Sequence, residues 1–474
     1  MKKVIGKTFL VLISLALVIC MFAGCITIKE KGKYVTITPT PNPVPENFRG
    51  EITFSGFKSF EKDESNFEYI ANFNTNYPGV EVTYDEVYED EYFATLDEKI
   101  MDGSIGDVFV MDAARLAKYA SMGKIIDLSP YLEGLISYKT FKRLVPQNIL
   151  FKAAYDAAKY NGQYFMSPVE YSHEFVFINY SVFEKAGLTS PQDKWTWDDF
   201  YEIAEKVSTV EGIEKAVAID CGDYAVWGAF ARSYGDKLFT YDSFGNIINV
   251  NLTDADVMKG IGELTDFASK DYVENVQISE ISAEELEKYG MIVCDRSDFE
   301  RWAPYLDKTD EYDFEWDLIH FPRFSRDTVD EKGEPAQAIY YNIGGKTAGL
   351  AVKVRDDIAD EDERDEHYRI CATFALYSLE EDAAIKYCGE GETVPAIKDV
   401  NDMKFWREYP LEGKNTSVFS LFSSNDYTAF LTPFINYDAS LEFTVGDAVK
   451  AAAEGRKDLR DSLQKIQDAV NSFM

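Results

Sequence analysis

The side chains able to do chemistry are spaced in a way that argues against most enzyme classes. The 474-residue chain has three histidines, His173, His320 and His367. None sits in the His-Glu-x-x-His spacing that sets two imidazoles on one helix face around zinc. No Gly-x-Ser-x-Gly elbow exposes a serine nucleophile, and no Gly-x-Gly-x-x-Gly turn opens a dinucleotide site. Gly344-Gly345-Lys346-Thr347 ends like a phosphate loop, but the first glycine of that loop falls on Tyr340. Paired carboxylates for glycoside hydrolysis remain open. With 83 Asp and Glu in the chain, however, no particular pair stands out. The reading is a protein without catalytic residues, cofactor or metal.

Cysteine usage adds little. Cys221, Cys294, Cys371 and Cys388 lie in the body and form no Cys-x-x-Cys pair, which excludes a zinc ribbon or a thioredoxin-like motif. Disulfides and buried thiols both stay open. The formal charge of −35 argues against nucleic acid or an anionic membrane surface as partner. The run from Asp360 to Glu366 reads as an exposed acidic loop. It lacks the turn glycine and ligand spacing of a calcium loop.

The start of the chain carries its own signal. Lys2, Lys3 and Lys7 precede an apolar run from Thr8 to Ala23, shorter than the roughly 20 residues of a spanning helix. A basic start, a short apolar stretch and small residues before a cut describe a secretory signal. Phe22-Ala23-Gly24-Cys25 resembles a bacterial lipobox, although Phe22 stands where an aliphatic is usual. The expectation is a signal peptide over 1–24, lipid on Cys25, and a tether over 25–49 extended by Pro39, Pro41, Pro43 and Pro45. Acyl chains contribute roughly 0.8 kcal/mol per buried CH₂ to membrane affinity, so they can hold a protein with no spanning helix at the extracellular face of the cell membrane.

About 425 residues remain, more than one core usually serves. Glu51–Ser55, Val80–Tyr84 and Asp107–Met111 read as strands, alternating with helical stripes through Phe67, Ile70 and Phe73 and through Tyr92, Leu96 and Ile100. That order implies an α/β fold with a parallel sheet. Thr196, with Asp199 three residues on, opens a capped helix. Val257, Ile261, Leu264 and Ala268 mark another, opened by Thr253 or Asp254. Further stripes run through Ile370, Phe374 and Tyr377, and through Leu459, Leu463, Ile466 and Val470.

Several stretches in order resemble the family 1 extracellular solute-binding proteins, the carbohydrate-capturing lipoproteins of ABC importers. They are Tyr77-Pro78-Gly79-Val80-Glu81-Val82, Gly106-Asp107-Val108 with Gly123-Lys124-Ile125-Ile126-Asp127-Leu128, and Asn161-Gly162 through Pro168. Asn179-Tyr180-Ser181-Val182-Phe183-Glu184-Lys185-Ala186-Gly187-Leu188 and Trp195-Thr196-Trp197 follow. Gly344-Gly345 and Ala452-Ala453-Glu454-Gly455-Arg456 complete the set. Gly106 stands where proline is usual.

The resemblance spans about 50–474 and implies a two-lobed periplasmic-binding-protein-like α/β fold, each lobe a sheet flanked by helices, with the ligand cleft at the hinge. Lobe 1 would be 50–164 plus 320–378, and lobe 2 would be 165–319 plus 379–474. The chain would cross between them near Asn161–Pro168, near Phe321-Pro322 and around residue 379. A monomer would hold an oligosaccharide for the permease. The alternatives are a peptide or polyamine receptor, a sensory lipoprotein, or an extracellular glycosidase or lyase.

The same likeness implies the site. Sugars need aromatic platforms and planar donors and acceptors. Tyr224 and Trp227, with Asp223, fall where the family places cleft aromatics. Phe57 and Lys58 would follow the first strand at a cleft edge, and Asp112 and Arg115 the third. Glu170, Tyr171 and His173 would lie at the first crossing. Trp302, Asn342 and Tyr437 complete the expected set.

Overall fold

Strand and helix alternate from the start of the body. Strand β1 (Gly50–Lys58) leads to helix α1 (Ser65–Asn76), which buries Tyr69, Ile70 and Phe73. Tyr77-Pro78-Gly79 turns the chain into β2 (Val80–Tyr88). Helix α2 (Glu89–Asp102) ends at Gly103, whose φ of 80° is the left-handed cap that a residue without Cβ adopts freely. Strand β3 (Val108–Asp112) is apolar up to its last residue and runs straight into α3 (Ala113–Ser121). The structure is a computed structural model describing residues 26–30, 33–37, 48–58, 65–140, 142–191, 194–243, 246–306, 312–329, 335–340, 342–389, 393–398, 413–423, 428–431 and 441–472. Cys25 and Tyr437 lie outside the described residues.

Two strands then follow with one residue between them: β4 (Ser167–His173) and β5 (Phe175–Asn179). Helix α4 (Trp197–Val207) has the expected capping box. Thr196 and Asp199 satisfy each other's backbone N–H, and Trp197, Phe200, Ile203, Ala204 and Val207 form the buried stripe. Strand β6 (Lys215–Ile219) precedes α5 (Tyr224–Ala231), which is buried all round. Helix α6 (Ala255–Ala268) is opened by Asp254. Strands β7 (Val273–Asn275) and β8 (Tyr289–Cys294), helix α7 (Arg296–Leu306) and strand β9 (Trp316–His320) follow. The long strand β10 (Asn342–Val352), helix α8 (Glu361–Leu376), strands β11 (Val394–Pro395) and β12 (Thr428–Leu431), and helices α9 (Leu441–Ala453) and α10 (Leu459–Asn471) finish the body.

These strands build two sheets. The seven-stranded sheet has the order β11-β4-β10-β3-β1-β2, with β12 also paired to β10. Its β1 runs parallel to β2 and to β3. The five-stranded sheet has the order β7-β6-β8-β5-β9, with β6 parallel to β7 and β8. Each sheet has its own aromatic core. Phe54, Tyr69, Phe73 and Phe374 pack together on the first. Trp197 meets Phe200, Phe230 and Phe321 on the second.

One buried carboxylate ties the first sheet together. Asp107, just before β3, accepts from the Thr53 backbone N–H and hydroxyl, each at 2.8 Å, and from Arg355 at 2.5 Å. His367 of α8 lies 3.3 Å away. Burial alone would raise the Asp107 carboxyl, but the hydrogen bonds from His367 and Thr53 outweigh it and hold the group well below the usual range.

Several expectations change. The passage from one sheet to the other falls at Glu174, between β4 and β5, downstream of the Asn161–Pro168 crossing. Strand β11 pairs with β4, so the chain is still in the seven-stranded sheet at Pro395, beyond the crossing expected around 379. The acidic run is not a loop. Asp360 caps α8 and Glu361, Asp362 and Glu363 form its first turn, where the helix dipole favours negative charge. The four body cysteines are buried free thiols.

The chain divides into two compact units, residues 1–48 with 136–143, and the body just described. In the smaller unit, Ile26–Glu30 pairs antiparallel with Lys33–Ile37, a hairpin ahead of the expected proline stretch, which lies outside the described residues. The hairpin's Ile, Val, Thr and Tyr content suits a strand. Among the described residues no helix is long and apolar enough to cross a membrane.

Candidate functional site

In α/β sheets with parallel strands, the open crevice lies beyond the carboxyl ends of the strands. Both sheets end in polar residues there. Strand β1 ends in Phe57 and Lys58, and β3 ends in Asp112. Strand β6 is followed by Asp220-Cys221-Gly222-Asp223, and β8 by Asp295. Tyr88, at the end of β2, pairs in register with Lys58 and is exposed.

On the seven-stranded sheet the expected residues are partly tied to one another. Asp112 caps α3 by accepting from the Arg115 N–H at 3.1 Å and also ion-pairs with the Arg115 guanidinium. Arg115 reaches Asp97 as well, at 3.1 Å, and lies over the Phe93 ring. Burial raises the Asp112 carboxyl, with Arg115 opposing. Phe57 is half-buried, with its ring 5.0 Å from that of Phe93.

A row of polar groups crosses the middle of this sheet. Ala348 of β10 stands opposite Asp112 on one side and Glu170 on the other. Lys346, two residues away and so on the same face, stands opposite Ser172. Its ammonium reaches Asp223, the N-cap of α5, at 3.0 Å. The opposite face of β4 is packed. Tyr171 is buried and donates to the Phe419 carbonyl at 3.0 Å. His173 is buried beside it, and burial lowers its pKa to about 4.

Glu174 occupies the single position between the sheets. Phe175 pairs with Cys294 in antiparallel register, so Glu174 and Asp295 are the residues next to the end of that ladder, near enough for Asp295 to repel Glu174. Both are buried, at 6% and 7% exposure. Asp295 accepts from the Asp298 N–H at 3.0 Å and from the Ser297 hydroxyl at 2.6 Å, capping the first turn of α7. Asp298 pairs with Arg301 at 2.7 Å, but burial and then Asp295 push it up to about 7. The Glu174 backbone carbonyl lies 3.2 Å from His173 Nδ1, but its side chain makes no hydrogen bond or ion pair among the described residues. Burial, then repulsion from Asp223 and Asp295, pushes its carboxyl well above the usual range, with Lys346 opposing.

The expected aromatic platforms are elsewhere. Tyr224 and Trp227 are enclosed in the core of the five-stranded sheet, Trp227 with no exposed surface. The Tyr224 hydroxyl accepts from Arg232 at 2.8 Å, and its ring meets Trp227 edge-on. Helix α5 is apolar on every side, so both rings point inward. Trp302 is also fully buried, donating to the Ile281 carbonyl at 3.0 Å and packing on Phe177. Asn342 is buried where β10 meets β12, opposite Thr428. Close by, Gly344 of β10 abuts Ala225 of α5, and a Cβ at Gly344 would come within 2.2 Å of the Ala225 Cα.

A family model described as bacterial extracellular solute-binding protein matches residues 68–413. The chain belongs to that family. Solved structures of solute-binding proteins share its fold. An ABC substrate-binding protein from Listeria monocytogenes, in complex with cycloalternan, is 19% identical, with a TM-score of 0.66 over 90% of this chain and 98% of that one. The sugar-binding protein MalE from Xanthomonas citri is 13% identical, with a TM-score of 0.67 over 90% and 97%. The cyclic alpha-maltosyl-1,6-maltose binding protein from Arthrobacter globiformis is 15% identical, with a TM-score of 0.65 over 90% and 99%. At these identities the likeness is one of fold, with two lobes, each a sheet flanked by helices, and a cleft at the hinge.

The side chains gathered where the two sheets meet are therefore rich in carboxylates. Asp112, Glu170 and Asp223 were legible in the sequence, whereas Glu174, Asp295, Asp298 and Lys346 were not. A signal for Glu174 existed: it is the one acid set directly before the wholly apolar Phe175-Val176-Phe177-Ile178. Among the described residues no group of His, Cys, Asp or Glu is arranged to hold a metal ion.

Proposed function

We propose that this solute-binding protein captures a carbohydrate, an oligosaccharide, outside the cell for an ABC importer. The observation that carries the reading is the group of acids at the passage between the sheets: Glu174, the Asp223 and Asp295 that repel it, and Glu170 four residues back on β4. Sugar hydroxyls are donors that such carboxylates orient, and the neighbouring structures named above are of proteins that bind saccharides. The strand partnerships support a division of the body at Glu174, with β1–β4 and β10–β12 in one lobe and β5–β9 in the other. Hinge closure around the ligand fits this layout.

The N-terminus completes the reading. Signal cleavage after residue 24 and lipid on Cys25 would keep a monomeric receptor beside its permease. Cys25→Ala should move the protein from the membrane to the soluble fraction. Ligand capture is tested by melting the full chain in mild detergent against a panel of oligosaccharides. A specific binder raises the melting temperature as RT ln(1 + [L]/Kd). A panel in which only peptides or spermidine shift it overturns the carbohydrate reading.

A further inference from the structure

Glu174 sets a condition on the ligand. A buried carboxylate without a hydrogen bond is costly, and a protein retains one where a partner arrives to pair it. The cations nearby are already engaged: Lys346 with Asp223 at 3.0 Å, Arg301 with Asp298 at 2.7 Å, and Arg296 with Glu300. The helix N–H groups at the start of α7 are taken by Asp295 and Asp298. The charge around Glu174 is mostly negative: Asp223 on α5 and Asp295 and Asp298 at α7 repel it, and only Lys346, itself paired with Asp223, opposes them. Neutral sugar hydroxyls would supply hydrogen bonds there but leave this repulsion in place. A protonated amine supplies both donors and the missing positive charge, in charge-assisted bonds about twice as strong as neutral ones.

We infer that the ligand of this site is an oligosaccharide bearing a free, protonated amino group, seated against Glu174 and Asp295 where the two sheets meet. The inference rests on the carbohydrate reading above and narrows it. Asp223 and Asp298, each held by its own cation, supply long-range attraction. Glu174 and Asp295 make the contact, because they are the residues next to the end of the β5–β8 ladder.

The test uses the full chain in mild detergent and three matched probes: glucosamine oligosaccharides, their N-acetylated counterparts, and malto-oligosaccharides. The free-amine series should bind at least about tenfold more tightly than either neutral series. Glu174→Gln should reduce that preference about tenfold, and Asp295→Asn should reduce it too. The wild-type preference is read without any variant, so a variant that fails to fold leaves the test intact. Binding of neutral oligosaccharides as tight as that of the amines overturns this inference while the carbohydrate reading stands. No shift with any saccharide overturns both. A preference that survives Glu174→Gln in a folded variant removes Glu174 from the contact and overturns the inference as stated.

Discussion

Asp107 and Glu174 are both acids at the ends of buried strands, nearly equal in exposure, and they are treated in opposite ways. Asp107 receives four donors from three directions, Thr53 on β1, Arg355 after β10 and His367 on α8. The Glu174 carboxylate receives none among the described residues, and three other acids repel it against the one opposing ammonium of Lys346. The first arrangement spends its hydrogen bonds on joining strand to strand and helix. The second leaves its acceptors available at the one point where the chain leaves one sheet for the other. Saturation marks a structural carboxylate, and its absence marks one that awaits something from outside.

The contrast can be broken by substitution. The largest effect belongs to neither acid. Trp227→Ala, in the lobe of β5–β9, should cost about 3–5 kcal/mol in urea unfolding because it empties a closed core. A near-wild-type unfolding curve would return Trp227 to the cleft. Asp107→Asn should cost about 3 kcal/mol, since Arg355 and His367 lose their common partner. Thr53→Val keeps the shape but removes one donor, so about 1 kcal/mol is expected. If both variants are neutral, the donors around Asp107 are ornamental and the contrast fails.

The smallest effect has the opposite sign. Asp107, held low, lends stability that is present above the ordinary carboxylate range near about 3.9 and is lost as pH falls through its folded value. Glu174, held high, contributes stability that is present below about 4.3 and is lost as pH rises through its folded value. Glu174→Gln should therefore raise the ligand-free melting temperature at pH 8, and the gain should shrink toward pH 4. A loss at pH 8 would mean that Glu174 is a paired structural acid like Asp107.

The fold was largely legible because its signals are local. The Thr196–Asp199 capping box, the Asp254 start of α6 and the turn at Pro78-Gly79 need only neighbours in sequence. The acidic helix start at Asp360 was misread because charge alone does not separate a loop from a dipole-stabilised first turn. The site was less legible. Tyr224 and Trp227 are correctly placed next to Asp223, but one turn of α5 decides whether a ring faces cleft or core, and that depends on what packs against the helix. Glu174 and Asp295 meet only through strand register, which no spacing in the sequence records. With so many acids in the chain, composition hid them.

Gly344 sits at a contact between the two sheets' elements that a single methyl would change. Its missing side chain lets β10 of one sheet touch α5 beside the other. Gly344→Ala would force α5 and β10 apart by on the order of 1 Å, the overlap a methyl carbon cannot keep at van der Waals contact. Such a doorstop touches no acid in the cleft, yet Asp223 rides on α5 and Lys346 on β10, so the spacing of the charges would change with it. On the proposed reading, affinity would then respond to a position outside the acid cluster, through the spacing of the two lobes.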